Sequence, residues 1–500
     1  PLLQAWFART GHAGSSDPYF LYAASNVGSL VALLSFPLLI EPLLPTRIQT
    51  GLWSFGFAFL IAAVALCAAF LPGPVADGEQ ALNAEANTEV AAPTLHERLT
   101  WCLLAFVPSG LLVAVTAHIS TDVAAAPLLW VIPLSLFLLT FIITFQPRPW
   151  LSHKIMLLVQ PGLVVVSFGL ASLLMSFSVL LALALTLLAF FASAMVFHGE
   201  LVRLRPSARH LTSFYVWMSI GGVLGGIFAG LLAPLMFDSI AEYGLLFLAS
   251  IAIRLKGCPL PSRNALLSAG LCIIGVTAVL AAALEPSLLA QPKLSTNAVL
   301  VGVCLAVVVL IALAREVRVM ALVATCIIAL TTLASQLQAD AISMRSFFGV
   351  TKIRTAPDNS LRFLSHGTTL HGAQRLDQMA PSIRPDPLTY YYRGGPFDQA
   401  IMAARSNRGG MLGNVAVIGL GTGSQACLSQ AGENWRFYEI DPLVVRVAKD
   451  PNLFTFMSAC APQAPVIVGD ARLMLQEASA AFYDLIIVDA FSSDAIPLHL

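Results

Sequence analysis

The chain has 500 residues, 57% of them hydrophobic and only 11% charged, with a mean hydropathy of +0.81. An ordinary soluble domain carries roughly 25% charged residues, so most of this chain is built for a membrane. Twenty-seven basic residues balance 27 acidic ones, which excludes electrostatic capture of nucleic acid as the main activity. The charges are shared unevenly: residues 1–340 hold 14 of each sign and residues 341–500 hold 13 of each. A polytopic membrane domain over 1–340 is therefore expected to precede a water-soluble part. The eight cysteines (Cys67, Cys102, Cys258, Cys272, Cys304, Cys326, Cys427, Cys460) form no CxxC pair. They read as small core residues, with neither a disulfide framework nor a zinc site. The chain opens on Pro1 and stops at Leu500 within a motif, so it reads as an internal fragment from which no signal peptide can be inferred or excluded.

A bilayer core of about 30 Å needs roughly 20 apolar residues per helix. Eleven runs fit: 20–40, 51–71, 99–119, 127–145, 155–175, 177–197, 211–235, 240–255, 264–284, 297–314 and 319–337. The stretch 72–98 is polar, acidic and bounded by Pro and Gly, which suits an extramembrane loop. Basic residues collect in alternate connections (Arg98; Arg148 and Lys154; Arg203, Arg205 and Arg209; Arg254, Lys256 and Arg263; Arg315 and Arg318), and those connections are expected in the cytoplasm. With eleven spans the chain after 337 would emerge on the opposite face. The preferred reading is that one late segment does not span, because 240–255 is short and 297–314 is closely flanked by charges, and that the soluble domain is cytoplasmic.

Within the spans, ionisable residues draw notice. His118 with Asp122, and His198 with Glu200, each read either as an ion or substrate site or, preferably, as polar groups placed at the membrane interface. Gly221, Gly222, Gly225, Gly226 and Gly230 give the small-xxx-small spacing that lets helices approach closely.

From about 341 the pattern becomes short strands, SFFGVTKI (346–353) and SLRFLSHG (360–367), separated by the turn-rich TAPDN. A small β-rich, substrate-side unit is expected over 341–396. Beyond the helical FDQAIMAARS, apolar strands (NVAVIG, WRFYEI, APVIV, YDLIIVDA) alternate with helices beginning at 424, 442 and 471. That alternation argues an α/β doubly wound parallel sheet, here a Rossmann-like nucleoside-binding domain over 397–500 that is truncated at its C-terminus.

Gly419-Leu420-Gly421-Thr422-Gly423 lies between a buried strand and a helix, where glycines either let the backbone approach a nucleotide-like ligand or only make a tight turn. Ser424 stands where the dinucleotide fingerprint needs Gly, which disfavours nicotinamide or flavin. Glu439, at the end of the second strand, is placed to accept both ribose hydroxyls, or is a solvated strand end. Asp470, after the third strand, can accept from an adenine amino group or cap the following helix. Asp489 and Asp494 follow the most apolar strand, while Asp484 precedes it and reads as structural. Two carboxylates at the mouth of a buried sheet are costly unless a cation pairs with them.

These segments resemble the spermidine synthases, the polyamine aminopropyltransferases. YEIDPLVVRVAKD, GDAR and YDLIIVDAFSSD are similar to their EID-x-x-VV-x-x-x-K, GD(A/G) and YD-x-II-x-D-S-S-D segments. The multi-span half, with AASNVGSLVALL, STDVAAAPLLWVIPLSLFLLTF and HGELVRLRPSARHLTSFY, followed by HGTTLHGAQ and PLTYYYRGGPFDQA, resembles the membrane-fused spermidine synthase-like proteins of bacteria. The resemblance implies transfer of an aminopropyl group from decarboxylated S-adenosylmethionine to a putrescine-like amine. It also implies an S-adenosylmethionine-dependent transferase fold, no metal, a place in the bacterial inner membrane, and an assembly compatible with a homodimer. By family role Gly419, Gly421 and Gly423 face the sulfonium nucleoside, Glu439 its ribose, Asp470 its adenine, and Asp489 is the general base with Asp494 beside it. Gln374 and Tyr391 are the substrate-binding candidates.

The sequence departs from the family at Leu420 and Thr422 in the glycine loop, in the five-residue spacing of Asp489 and Asp494, and at Tyr390-Tyr391-Tyr392-Arg393, so the amine acceptor stays open. His366 and His371 either line the site or close a hairpin. Two other readings stand beside the first: a transporter-like membrane protein with a degenerate nucleoside-binding sensor domain, and a methyltransferase using full S-adenosylmethionine.

Overall fold

The computed structural model describes residues 2–70, 92–120, 129–252 and 341–490, less residues 9, 11, 13, 16, 178, 368, 381 and 382, together with isolated helical positions between 263 and 329. The chain forms two compact units, one of residues 1–116, 128–230 and 242–331, the other of 117–127, 231–241 and 332–500.

The first unit is helical. Its main elements are α1 (Phe20–Ser35, continued through a π turn over Phe36–Ile40 to Leu43), α2 (Thr46–Ala69), α3 (Leu95–His118), α4 (Val131–Thr144), α5 (His153–Phe177), α6 (Val179–Arg203), α7 (Leu211–Ile227) and α8 (Ala241–Ala252). Among the described residues five stretches are long and apolar enough to cross a membrane: Phe20–Leu43, Thr46–Ala69, Leu95–His118, Val179–Arg203 and Ala208–Met236. Most of the described residues of the first eight expected segments are helical; the last three segments lie mostly outside the described residues, as do Asp122 and residues 71–91 of the polar loop. No described residue of α2 is buried, yet Trp53, Phe55 and Phe59 on it are exposed. An apolar surface of that kind is a liability in water and matched to hydrocarbon.

Local rules set the helix ends and contacts. α3 opens on a capping box: the Thr94 amide donates to Glu97 Oε2 (2.7 Å) and the Glu97 amide to Thr94 Oγ1 (3.3 Å). α7 lies against α3 through glycine, since a Cβ at Gly221 would fall on the Cys102 carbonyl oxygen and one at Gly225 on that of Phe106. Gly226 has open space beside it. Close packing is thus the work of two of the five glycines, four residues apart.

Between α5 and α6 polar pairs recur every seven residues: His153 with Glu200 (2.8 Å), Gln160 with Ser193 (3.4 Å) and Ser167 with Thr186 (3.5 Å). Seven residues are about two helical turns, so one face of each antiparallel helix carries the ladder. Gln160 also reaches Ser250 Oγ on α8 at 3.0 Å.

His198 is fully buried, because α4 covers it. Its ring stacks on Phe141 (3.7 Å, 16°) and meets the edge of Phe137. Thr140 Oγ1 donates to the Phe137 carbonyl (2.6 Å) and lies 2.8 Å from His198 Nδ1. The hydroxyl proton being spent, Nδ1 is the donor and Nε2 carries the lone pair. Glu200 is half-exposed and pairs with His153 and Arg203.

The second unit carries two four-stranded sheets. The first is an antiparallel meander, β1 (Ala341–Ser346), β2 (Gly349–Thr355), β3 (Leu361–His366) and β4 (Thr369–Arg375). Two strands were expected here; instead 346–353 is broken by a turn at Phe347 and Phe348, and Gly349 at φ +133° starts the next strand.

After α9 (Pro396–Asn407) come β5 (Asn414–Ile418), β6 (Asn434–Glu439), α10 (Pro442–Lys449), α11 (Phe456–Cys460), β7 (Val466–Val468), α12 (Ala471–Leu475) and β8 (Leu485–Val488). The four strands are parallel in the order β7-β6-β5-β8. The helix expected from 424 is only a 3₁₀ turn, Ser424–Leu428, all five residues of which are buried. Few residues separate the glycine loop from β6, and every side chain of the turn is drawn into the core.

The two sheets share that core rather than meeting at a boundary near 396: Ile353 and Leu364 of the meander pack with Leu443, Val447, Phe454 and Phe456. At its far end Arg405 and Glu433 form a buried bidentate pair, Nε–Oε1 and Nη2–Oε2 both 2.7 Å. Burial pushes the Glu433 carboxyl up, but Arg405, the amides of Gln430 and Leu412 and the Trp435 indole outweigh it and hold the pKa at about 2.

Candidate active site

The C-terminal ends of β5, β6, β7 and β8 open on one cavity of about 350 Å³, the place where α/β sheets take ligands. Gly419 and Gly421 line it with φ of +95° and +54°. A Cβ at Gly419 would strike the Asp489 carbonyl oxygen, and one at Gly421 would come within 2.8 Å of the His371 carbonyl. Gly423 is not in the wall; its φ of +79° turns the chain over Met457.

Glu439 ends β6 inside the cavity. Oε2 accepts from the Leu420 amide and Oε1 from the Asp441 amide, both 3.0 Å, so the side chain ties the glycine loop to β6 and keeps lone pairs for a ligand. Burial raises its pKa, and the amides of Asp441 and Leu420 oppose that rise. It is not a solvated strand end. Asp470 both lines the cavity and caps α12, Oδ1 accepting from the amides of Arg472 (2.9 Å) and Leu473 (3.4 Å). The two readings of this residue are therefore compatible, through different oxygens.

Asp489, 8% exposed, is the most strongly held group. Oδ2 accepts from the Tyr391 hydroxyl and from Gln425 Nε2, while Oδ1, equally buried, has no partner among the described residues. Burial pushes its pKa up to about 6, against the lowering effect of Tyr391 and Gln425. The Tyr391 phenol is raised well above its usual value, first by burial and then by the Asp489 charge, so it remains a donor. The hydroxyls of Tyr390 and Tyr391 are bonded at 2.9 Å, extending the network.

Gln374 does not join this group. It is fully buried, outside the cavity wall, with Nε2 on Thr455 Oγ1 (2.5 Å) and Oε1 on the Thr455 amide (2.9 Å). Both ends of its amide are spent on a structural tie, which corrects its assignment as a substrate ligand. Asp494 lies outside the described residues. Asp484 is structural as expected, accepting from the amides of Gly413 and Asn414 and pairing with Arg408.

His366 and His371 both line the cavity. Burial lowers the His366 pKa, with Asp441 opposing. Gln425 and Asp441 belong to the site without having been singled out in the sequence. Gln425 follows the glycine loop in a segment with no motif, and Asp441 looks like an ordinary cap for α10, which it also is. Four carboxylates (Glu439, Asp441, Asp470, Asp489) and no Lys or Arg line the cavity among the described residues. Comparison with family models, with curated proteins and with solved structures found no match to this chain.

Proposed function

We propose that the chain is a membrane-bound, spermidine synthase-like aminopropyltransferase with a Rossmann-like catalytic domain. It would move an aminopropyl group from decarboxylated S-adenosylmethionine to a putrescine-like amine. The observation that carries this reading is the convergence of Glu439, Asp470 and Asp489 on one cavity beside the glycine loop. Its electrostatics support the reading further. An acidic wall with no guanidinium or ammonium among the described residues suits a donor and an acceptor that are both cations, whereas the carboxylate of full S-adenosylmethionine would meet no cationic partner among those residues.

In this reading Glu439 orients the ribose, Asp470 the base, and Asp489 the acceptor amine. An alkyl ammonium has a pKa near 10, so it must lose a proton before its nitrogen can attack. The buried Oδ1 of Asp489 takes that proton; the nitrogen forms the new N–C bond, the C–S bond breaks, and its electron pair stays on sulfur as the neutral thioether of methylthioadenosine. Tyr391 and Gln425 hold Oδ2, leaving Oδ1 as the basic edge. Such a base contributes about 10²- to 10⁴-fold, and the donor's sulfonium supplies the leaving group.

The helical unit would set the chain in the bacterial inner membrane, with the soluble unit cytoplasmic. Support comes from the clustering of Arg98, Lys154, Arg203 and Arg205 at one end of the bundle, where Trp101 Nε1 donates to the Leu204 carbonyl (2.9 Å) and His153 meets Glu200. The test is incubation of the full-length protein with both donors and a panel of amines, followed by mass spectrometry. Aminopropylated amine with methylthioadenosine is the expected result; methylated product, or none from any pair, rejects the assignment.

A further inference from the structure

Beneath the glycine loop runs a covalent link that corrects the reading of all eight cysteines as isolated core residues: Cys427 and Cys460 are disulfide-bonded, with Cα atoms 4.9 Å apart across 33 residues of sequence. Among the described residues Cys67, Cys102 and Cys326 are free thiols. Cys427 sits in the 3₁₀ turn that leaves Gly423, and Cys460 is the last residue of α11. Met457, one turn before Cys460, packs under Gly423, where a Cβ would come within 2.6 Å of its Cγ. Thr455, just ahead of α11, is the residue that Gln374 holds from β4. On β4, Gly372 lies against Thr422 and the His371 carbonyl against Gly421. The disulfide thus closes a ring of contacts that starts and ends on the glycine loop.

The link is also placed to exchange. Cys460 is partly exposed while Cys427 is fully buried, so the Cys460 end of the link is the one nearer solvent. Arg384 and Arg393 both donate to the Cys427 carbonyl, at 3.0 and 3.2 Å, which fixes the backbone of the 3₁₀ turn at the buried end of the link. In the cytoplasm, where the preceding proposal puts this unit, a disulfide is typically a redox sensor rather than a permanent staple.

We propose that Cys427–Cys460 is a redox clamp on the glycine loop. Oxidised, it holds the loop in the nucleoside-binding conformation; reduced, it frees the turn after Gly423 and weakens nucleoside binding. The reductant is a dithiol: its two sulfurs deliver two electrons and two protons, the S–S bond of the clamp breaks to two thiols, and the dithiol leaves as its own disulfide. The effect on binding rests on the cavity being a nucleoside site; the effect on the loop does not.

The test uses full-length protein in detergent, oxidised or treated with dithiothreitol, and a Cys427→Ala/Cys460→Ala variant. Hydrogen exchange of peptides covering 419–428 is measured beside calorimetry with methylthioadenosine. Reduction should speed loop exchange by about fivefold or more and weaken affinity about tenfold, while the variant matches reduced protein with or without dithiothreitol. Equal loop exchange in both redox states, or a variant that still responds to dithiothreitol, overturns the clamp. If the loop responds but neither state binds methylthioadenosine, the clamp stands and the nucleoside reading falls.

Discussion

The Tyr391 hydroxyl donates to Oδ2 of Asp489, joining the Tyr-rich segment before α9 to the end of β8 across 98 residues of sequence. The bond spends one carboxylate oxygen and leaves the other, buried and unpartnered among the described residues, for the proton transfer proposed above. Asp489 has a folded pKa of about 6 against an ordinary value of 3.8. Because that pKa is raised, the stability linked to protonation is fully present below about 3.8 and lost as pH rises through about 6. Asp489→Asn should therefore raise the thermal midpoint at pH 7.5. Turnover should fall about 10²-fold or more with methylthioadenosine affinity nearly intact. In the wild type, activity should decline as pH drops below about 6. A variant that is less stable yet normally active would make Asp489 a loop-holding residue instead.

Glu439 is expected to act twice, as a ligand acceptor and as the tie between the Leu420 and Asp441 amides. Glu439→Ala should cut methylthioadenosine affinity by about 1 to 3 kcal/mol, the scale of hydrogen bonds to a charged group. Calorimetry on the full-length variant measures it, and unchanged affinity removes Glu439 from the site.

Parts of this site were legible because strand ends are legible. Apolar runs deliver Gly419, Glu439, Asp470 and Asp489 to one edge of a parallel sheet, and each apart from the glycine turns up in the cavity wall as a carboxylate. What the sequence hid depends on partners far along the chain. Gln374 resembles a substrate ligand until Thr455, 81 residues on, claims both ends of its amide. Cys427 and Cys460 look unrelated at 33 residues' separation, and Gln425 gains its role only when Asp489 arrives beside it. The short crossover after the glycine loop also defeated periodicity, since a fully buried 3₁₀ turn has no polar face to reveal it. In the membrane half, hydropathy located the helices, while the burial of His198 could not be read without knowing that α4 covers it.

Arg405 and Glu433 should govern acid stability of the second unit. With a folded pKa of about 2 against an ordinary value of 4.5, Glu433 contributes stability that is present above about 4.5 and lost as pH falls toward about 2. Glu433→Gln strands the buried guanidinium and should cost about 3 to 5 kcal/mol at neutral pH. Its acid transition should also be shallower than that of the wild type. Chemical unfolding followed by tryptophan fluorescence at pH 7 and at about pH 3 checks both, and a wild-type loss between those values that the variant shares in full assigns the acid transition elsewhere.

The glycines of α7 separate packing from mere composition. A Cβ at Gly221 or Gly225 would overlap the backbone carbonyls of Cys102 and Phe106, and backbone on a helix cannot swing aside as a flexible side chain can. Gly226, on the same helix, meets nothing within 4 Å. Removing a helix glycine in open space is favourable by up to about 1 kcal/mol, since alanine is the better helix former. Gly221→Ala and Gly225→Ala should therefore lower the thermal midpoint of the detergent-solubilised protein and reduce its yield in the membrane fraction, with Gly226→Ala equal to or above wild type. Leucine at 221 or 225 should be worse than alanine, because α3 would have to move by the width of a side chain rather than a methyl group. If all three alanine variants behave alike, the approach of α7 to α3 is not what these glycines provide.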